Sequence, residues 1–117
     1  MTVLTEGQHQ GEFLVSEGNG SISREVGTLT AGTAYKDGDV LKLVAGKLQQ
    51  ATQAESSEEI VGIMYGDVDA TGGDVAGVPY ITRLAEVKLA LIRVNANPSV
   101  PDAGVLAELA ARMIIAR

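Results

Sequence analysis

Gly11-Glu12-Phe13-Leu14-Val15-Ser16-Glu17-Gly18-Asn19-Gly20-Ser21-Ile22-Ser23-Arg24-Glu25 sets two short extended runs on either side of Gly18-Asn19-Gly20. Glycine and asparagine tolerate the positive φ angles that reversing a strand requires, so the stretch reads as a β-hairpin extending to Leu29. The turn signal Thr30-Ala31-Gly32 closes it. Upstream, residues 1–11 contain one apolar pair, two glycines and no sustained period, and they read as a flexible N-terminal arm. Residues 12–117 form the single domain that the length allows.

Downstream the pattern stays β-rich. Asp37-Gly38-Asp39 introduces Val40-Leu41-Lys42-Leu43-Val44, which turns at Ala45-Gly46 and returns through Lys47-Leu48-Gln49 as a second hairpin. Residues 49–59 are polar and read as a surface loop. Ile60-Val61-Gly62-Ile63-Met64-Tyr65 is continuous and apolar, the pattern of a central strand buried on both faces. Val75 to Leu84 resumes strand character, with Pro79 marking an edge or a bulge. Val87, Leu89 and Leu91 alternate with polar neighbours across Glu86 to Val94, which predicts one half-buried strand.

After the Pro-rich turn 95–101 the period changes. Val105, Leu106, Leu109 and Met113 form an apolar stripe that predicts a helix over 102–112, with Asp102 and Arg112 suited to its dipole. Met113 to Arg117 ends as a short strand. The fold class expected is therefore mainly β with a minor α component: a hairpin-rich domain with one C-terminal helix.

Composition limits what such a domain can do. Cysteine is absent, which removes disulfides, thiolate metal sites and cysteine nucleophiles together. Aromatics are 3% of the chain, so the core must come from Val, Ile, Leu and Ala. Small side chains bury little area each, and self-association is one way to add burial. A net charge of −6 with scattered Lys and Arg argues against direct nucleic-acid binding. No run approaches the length of a membrane helix and no secretory leader opens the chain, so the expectation is a protein made in the host cytoplasm with no membrane partner.

Candidate chemistry is sparse. Asp67-Val68-Asp69-Ala70-Thr71 follows an apolar strand and looks like the Asp-x-Asp-x-Thr signature of haloacid-dehalogenase-type phosphotransferases, with Asp67 as nucleophile and Asp69 as acid–base. That fold needs helices between parallel strands, and one convincing helix is present. The same residues, with Gly72 sixth, imitate a calcium loop, but the twelfth position is Val78 rather than a bidentate Glu. Glu55, Glu58 and Glu59 read as hydrated loop acids, and His9 lies in the arm without a partner ligand. Gly72-Gly73 carries no phosphate-loop Lys-Ser/Thr. The residues thus point to no catalytic site, no metal and no cofactor.

The opening stretch resembles the head decoration protein D family of lambda-like tailed phages. So, in the same order, do Leu43-Val44-Ala45, Val61-Gly62-Ile63, Asp67-Val68-Asp69-Ala70-Thr71, Ala85-Glu86-Val87 and the terminal helix leading into Ile114-Ile115-Ala116-Arg117. The resemblance implies a non-enzymatic capsid-stabilising protein. It implies a homotrimer that binds the major capsid protein at three-fold positions on the outer surface of the expanded, DNA-filled head. It also implies that the arm orders on the shell, where Thr2, Val3, Leu4 and Thr5 are its strand-like residues. Two alternatives stand beside it: a small phosphotransferase-like enzyme using Asp67 and Asp69, and a virion-surface module binding a sugar or protein, for which one Phe, three Tyr and no Trp offer few stacking platforms.

Overall fold

A computed structural model describes residues 11–18, 22–51, 59–94, 101 and 103–117. Its strands run β1 (Leu14–Glu17), β2 (Arg24–Leu29), β3 (Ala34–Tyr35), β4 (Val40–Val44), β5 (Lys47–Gln50), β6 (Glu59–Met64), β7 (Val68–Asp69), β8 (Val75–Ile81), β9 (Ala85–Val87) and β10 (Ile114–Ala116). One α-helix, α1 (Ala103–Ala111), precedes β10, and a 3-10 turn covers Leu89–Leu91. The protein is mostly β with a single C-terminal helix, as the sequence pattern predicts.

Five strands close a barrel in the order β2-β5-β4-β6-β8. Closure removes the open edges that a flat sheet of this size would expose. A second sheet, β1-β9-β10, lies apart from the barrel, and β3 pairs with β7 as a short two-stranded ribbon. The chain ends meet on the second sheet. Leu14 at the start of β1 and Ala116 at the end of β10 both flank Val87, one antiparallel and one parallel to it.

The central-strand reading of residues 60–65 is met by β6, which pairs with β4 on one side and β8 on the other. Ile60, Val61, Ile63 and Met64 are all buried, and they divide between two cores. Ile60 and Ile63 join Phe13, Val87, Leu109 and Ile114 between the barrel, the second sheet and α1. Val61 and Met64 join Leu29, Tyr35, Leu41 and Leu48 in the other core. Strict alternation would not place 60 and 63 together. A register shift resolves this: Leu41 faces Gly62 while Lys42 faces Ile60, leaving Val61 as an extra residue in a bulge. The carbonyls there are met by side chains, with the Thr82 hydroxyl donating to Val61 O at 2.7 Å and Arg112 Nε donating to Ile60 O at 2.9 Å.

Several sequence expectations need correction. Residues 12–29 do not form a hairpin: β1 pairs with β9, while β2 pairs with β8 and touches β5. Gly18 N and the Ser23 hydroxyl both donate to Leu84 O, at 3.1 and 2.9 Å, which draws the two runs onto separate partners. The strand expected over 86–94 stops at Val87, where Lys88 N turns to Phe13 O at 2.7 Å and a 3-10 turn begins. Val87, Ile92 and Val94 are the buried residues of that stretch, while Leu89 and Leu91 are half-buried.

In the helix, Val105 and Leu109 are buried as the stripe predicts, but Met113 lies beyond α1 and is exposed. Asp102 falls outside the described residues. Gln49 and Gln50 belong to β5 and Glu59 to β6, and 52–58 lie outside the described residues. The core is not wholly aliphatic either, because Phe13 and Tyr35 are among its largest fully buried side chains. The β4–β5 hairpin, the short terminal strand and the irregularity near Pro79 all stand. Pro79 pairs with Val26 beyond the end of the β6 contact, next to a shift in β8 register.

Candidate functional site

Thr2, Val3, Leu4 and Thr5, the strand-like residues of the arm, lie outside the described residues, as does His9. What the structure describes is the point from which that segment departs. Gly11 is held by Asp37, whose Oδ1 accepts Gly11 N at 2.8 Å and Gly66 N at 2.7 Å. Asp37 N in turn donates to Asp67 Oδ1 at 2.8 Å. A buried carboxylate bonded to two backbone N–H groups from distant parts of the chain is a strong local tie. Gly11, grouped with the arm on sequence grounds, is thus fastened to the body of the protein.

The conformation at residue 11 is specific to glycine. Its φ is +75°, and a Cβ there would lie 2.6 Å from a ring carbon of Tyr65. Tyr65 is itself covered by Arg24, whose guanidinium carbon sits 4.1 Å from the ring centroid. Arg24 bonds Glu17 twice, Nε to Oε2 at 2.9 Å and Nη2 to Oε1 at 2.7 Å. That fork holds the Glu17 carboxyl below its usual value and keeps the arginine protonated. Two residues after Gly11, Phe13 is fully buried and its carbonyl accepts Lys88 N. The arm root is therefore fixed on β1, next to Val87 and the end of β10.

The carboxylates of the Asp-x-Asp-x-Thr motif serve the backbone. Asp67 accepts from Asp37 N, as above. Asp69 Oδ1 accepts Thr71 N at 3.0 Å and the Thr71 hydroxyl at 2.6 Å, a local turn that holds its carboxyl below the usual value. Val78, the twelfth position of the imitated calcium loop, is buried in the barrel core. Among the described residues no three His, Asp or Glu side chains are grouped to hold a metal. Asp37 was legible on sequence grounds only as part of a turn; its tie to Gly11 and Gly66 spans 26 and 29 residues, and nothing in local spacing signals that.

A structure whose acids brace turns and whose first described residues are locked to a sheet edge fits a binding protein. The family comparison agrees: the model of the bacteriophage lambda head decoration protein D family matches residues 3–114. The chain belongs to that family. The match includes Val3, Leu4 and Thr5, and it runs through the barrel, the second sheet and α1. No curated protein matches the chain. Membership of the head decoration protein D family implies decoration of the phage head and a place on the virion capsid, and a structural rather than enzymatic role. No helix among the described residues is long and apolar enough to cross a membrane.

Proposed function

We propose that this protein cements the phage head, binding as a homotrimer at three-fold positions on the outer surface of the expanded shell and contacting the major capsid protein there. Bound in this way it lowers the free energy of the intact, DNA-filled shell relative to its ruptured state. The observation that carries this reading is the family match over residues 3–114. The arm, through Thr2, Val3, Leu4 and Thr5, adds main-chain hydrogen bonds to a capsid strand. Such pairing asks little of side chains, and its ordering cost is met on binding. Three arms on one trimer act together, because attachment of the first raises the effective concentration of the others.

The fixed root at Gly11 supports this mechanism. A segment that departs from a rigid anchor loses less orientational freedom on capture than one that departs from a mobile loop. The test is titration of purified protein into expanded, undecorated capsids. Saturable binding that raises the rupture temperature of the shell is expected, and absence of binding overturns the reading. Deletion through Gln10 should leave the fold intact and lose capsid affinity; equal binding by the deletion rules out the arm.

A further inference from the structure

Seven large apolar side chains are exposed among the described residues, and four of them, Ile22, Leu84, Met113 and Ile115, gather at one place. There a shallow groove runs between the end of β1, the start of β9 and the turn that leads into β10. Leu84, Met113 and Ile115 line it, and Ile22 packs against Gly18 at its border. Met113 is 60% exposed and Leu84 42%. Grouped exposed apolar side chains of this size mark a contact surface more often than bare solvent-facing surface.

The backbone supplies a second, independent observation. Three non-glycine residues have positive φ, and two of them are Leu84 at +52° and Met113 at +62°. They sit side by side, since Leu84 N donates to Arg112 O and Ala85 N to Met113 O. The left-handed region is unfavourable for bulky side chains, and glycine or asparagine would hold either turn at lower cost. A large apolar residue kept there, with its side chain in solvent, is strain located at a surface that does something.

Charge selects the occupant. The chain carries a net charge of −6, so its copies repel over most of their surface. At the groove the carboxylates are answered from within the chain: Glu17 by Arg24 at 2.7 Å and Glu86 by Arg117 at 3.2 Å. Next to Ile22, Glu25 is answered by Arg83 at 2.6 Å. A strongly basic or acidic partner finds little net charge to bind. Another copy of the same acidic chain finds an apolar surface with a neutral rim.

We infer that this groove is where the protein meets a second copy of itself, with Leu84, Met113 and Ile115 buried at the contact. In a three-fold ring the groove of each copy meets a different face of the next, so three equivalent grooves are covered. The inference rests on the self-association reading proposed above and names the surface that performs it.

Sedimentation of the full chain from micromolar to millimolar concentration tests it, with Met113→Gly, Ile115→Thr and, as a control away from the groove, Leu43→Ser. The wild type and Leu43→Ser should approach three times 12.1 kDa. Met113→Gly and Ile115→Thr should associate about tenfold more weakly or worse. Met113→Gly removes a side chain from a left-handed position, so its dilute form should melt no lower than the wild type, which separates lost contact from lost fold. Association of both groove variants equal to that of the wild type overturns the groove assignment and leaves self-association standing. A wild type that stays at 12.1 kDa throughout overturns self-association in solution. Neither result touches the capsid titration, which tests decoration separately.

Discussion

Gly62 and Ile81 stand so close across β6 and β8 that a Cβ on residue 62 would overlap the Ile81 carbonyl oxygen. This is the seam at which the barrel closes, since β6 and β8 pair only through Ile63 with Ile81 and Met64 with Tyr80. A backbone atom cannot swing aside as a flexible side chain can. Gly62→Ala should therefore part the seam and destabilise the fold by about 3 kcal/mol, the upper part of the usual overpacking range. Urea unfolding checks it, and a loss below about 0.5 kcal/mol would show that the strands separate freely.

The strand that carries Gly62 was also the most legible part of the sequence. Ile60, Val61, Ile63 and Met64 leave no polar face, and a short run of that kind has few places to go except between two layers. The β4–β5 hairpin was legible because its two strands are joined by a two-residue connection, which fixes both partner and register locally. The opening stretch was misread for the opposite reason. Its strands were found, but their partners lie some 60 to 70 residues away on β8 and β9, and Ser23 and Gly18 are tied to Leu84 by bonds that no local spacing signals. Leu89 and Leu91 continued the alternation of β9, yet the backbone had already turned at Lys88 to meet Phe13. At the candidate site, Asp67 and Asp69 were visible as a motif, while their roles as backbone acceptors, and the tie from Asp37 to Gly11, appear only in three dimensions.

Asp39 should set part of the acid dependence of stability. Burial pushes its carboxyl above the ordinary aspartate value, against the opposing effects of Lys36 N, Gln50 and Arg93 and with a further push from Asp67. A carboxyl whose folded pKa is raised favours folding when protonated, and its contribution is lost as pH rises through the folded value. Asp39→Asn keeps an oxygen for Lys36 N and carries no charge. Its melting temperature should exceed that of the wild type at pH 7, and the two should converge as pH falls below about 4, the ordinary aspartate range. A variant less stable at neutral pH would mean that the attraction to Arg93 outweighs desolvation.

Thr30 offers a stabilising change. Its hydroxyl oxygen is buried without a hydrogen-bond partner among the described residues, although Thr30 N donates to Leu48 O and Thr30 O accepts the Tyr35 hydroxyl. An unsatisfied buried hydroxyl costs about 1–3 kcal/mol, and valine has nearly the same shape without the polar atom. Thr30→Val should raise stability by about 1 kcal/mol in chemical denaturation. A loss of the same size would show that the hydroxyl finds a partner in solution.

Asp37 links the fold to the arm. Its Oδ1 is shared by Gly11 N and Gly66 N, so its removal frees the arm root and the turn after β6 in one step. Hydrogen bonds to a charged acceptor contribute about 1.5–3 kcal/mol, which sets the expected loss for Asp37→Ala. Amide exchange should quicken most at Gly11 and Gly66, while Leu43 and Leu48 in the β4–β5 hairpin keep their relative protection. Asp37→Asn retains an acceptor oxygen and should recover most of the stability. If rigid departure of the arm aids capture, Asp37→Ala should also bind capsids more weakly at temperatures where it remains folded, chiefly through slower association. Unchanged association with loosened Gly11 and Gly66 amides would show that the anchor serves the fold alone.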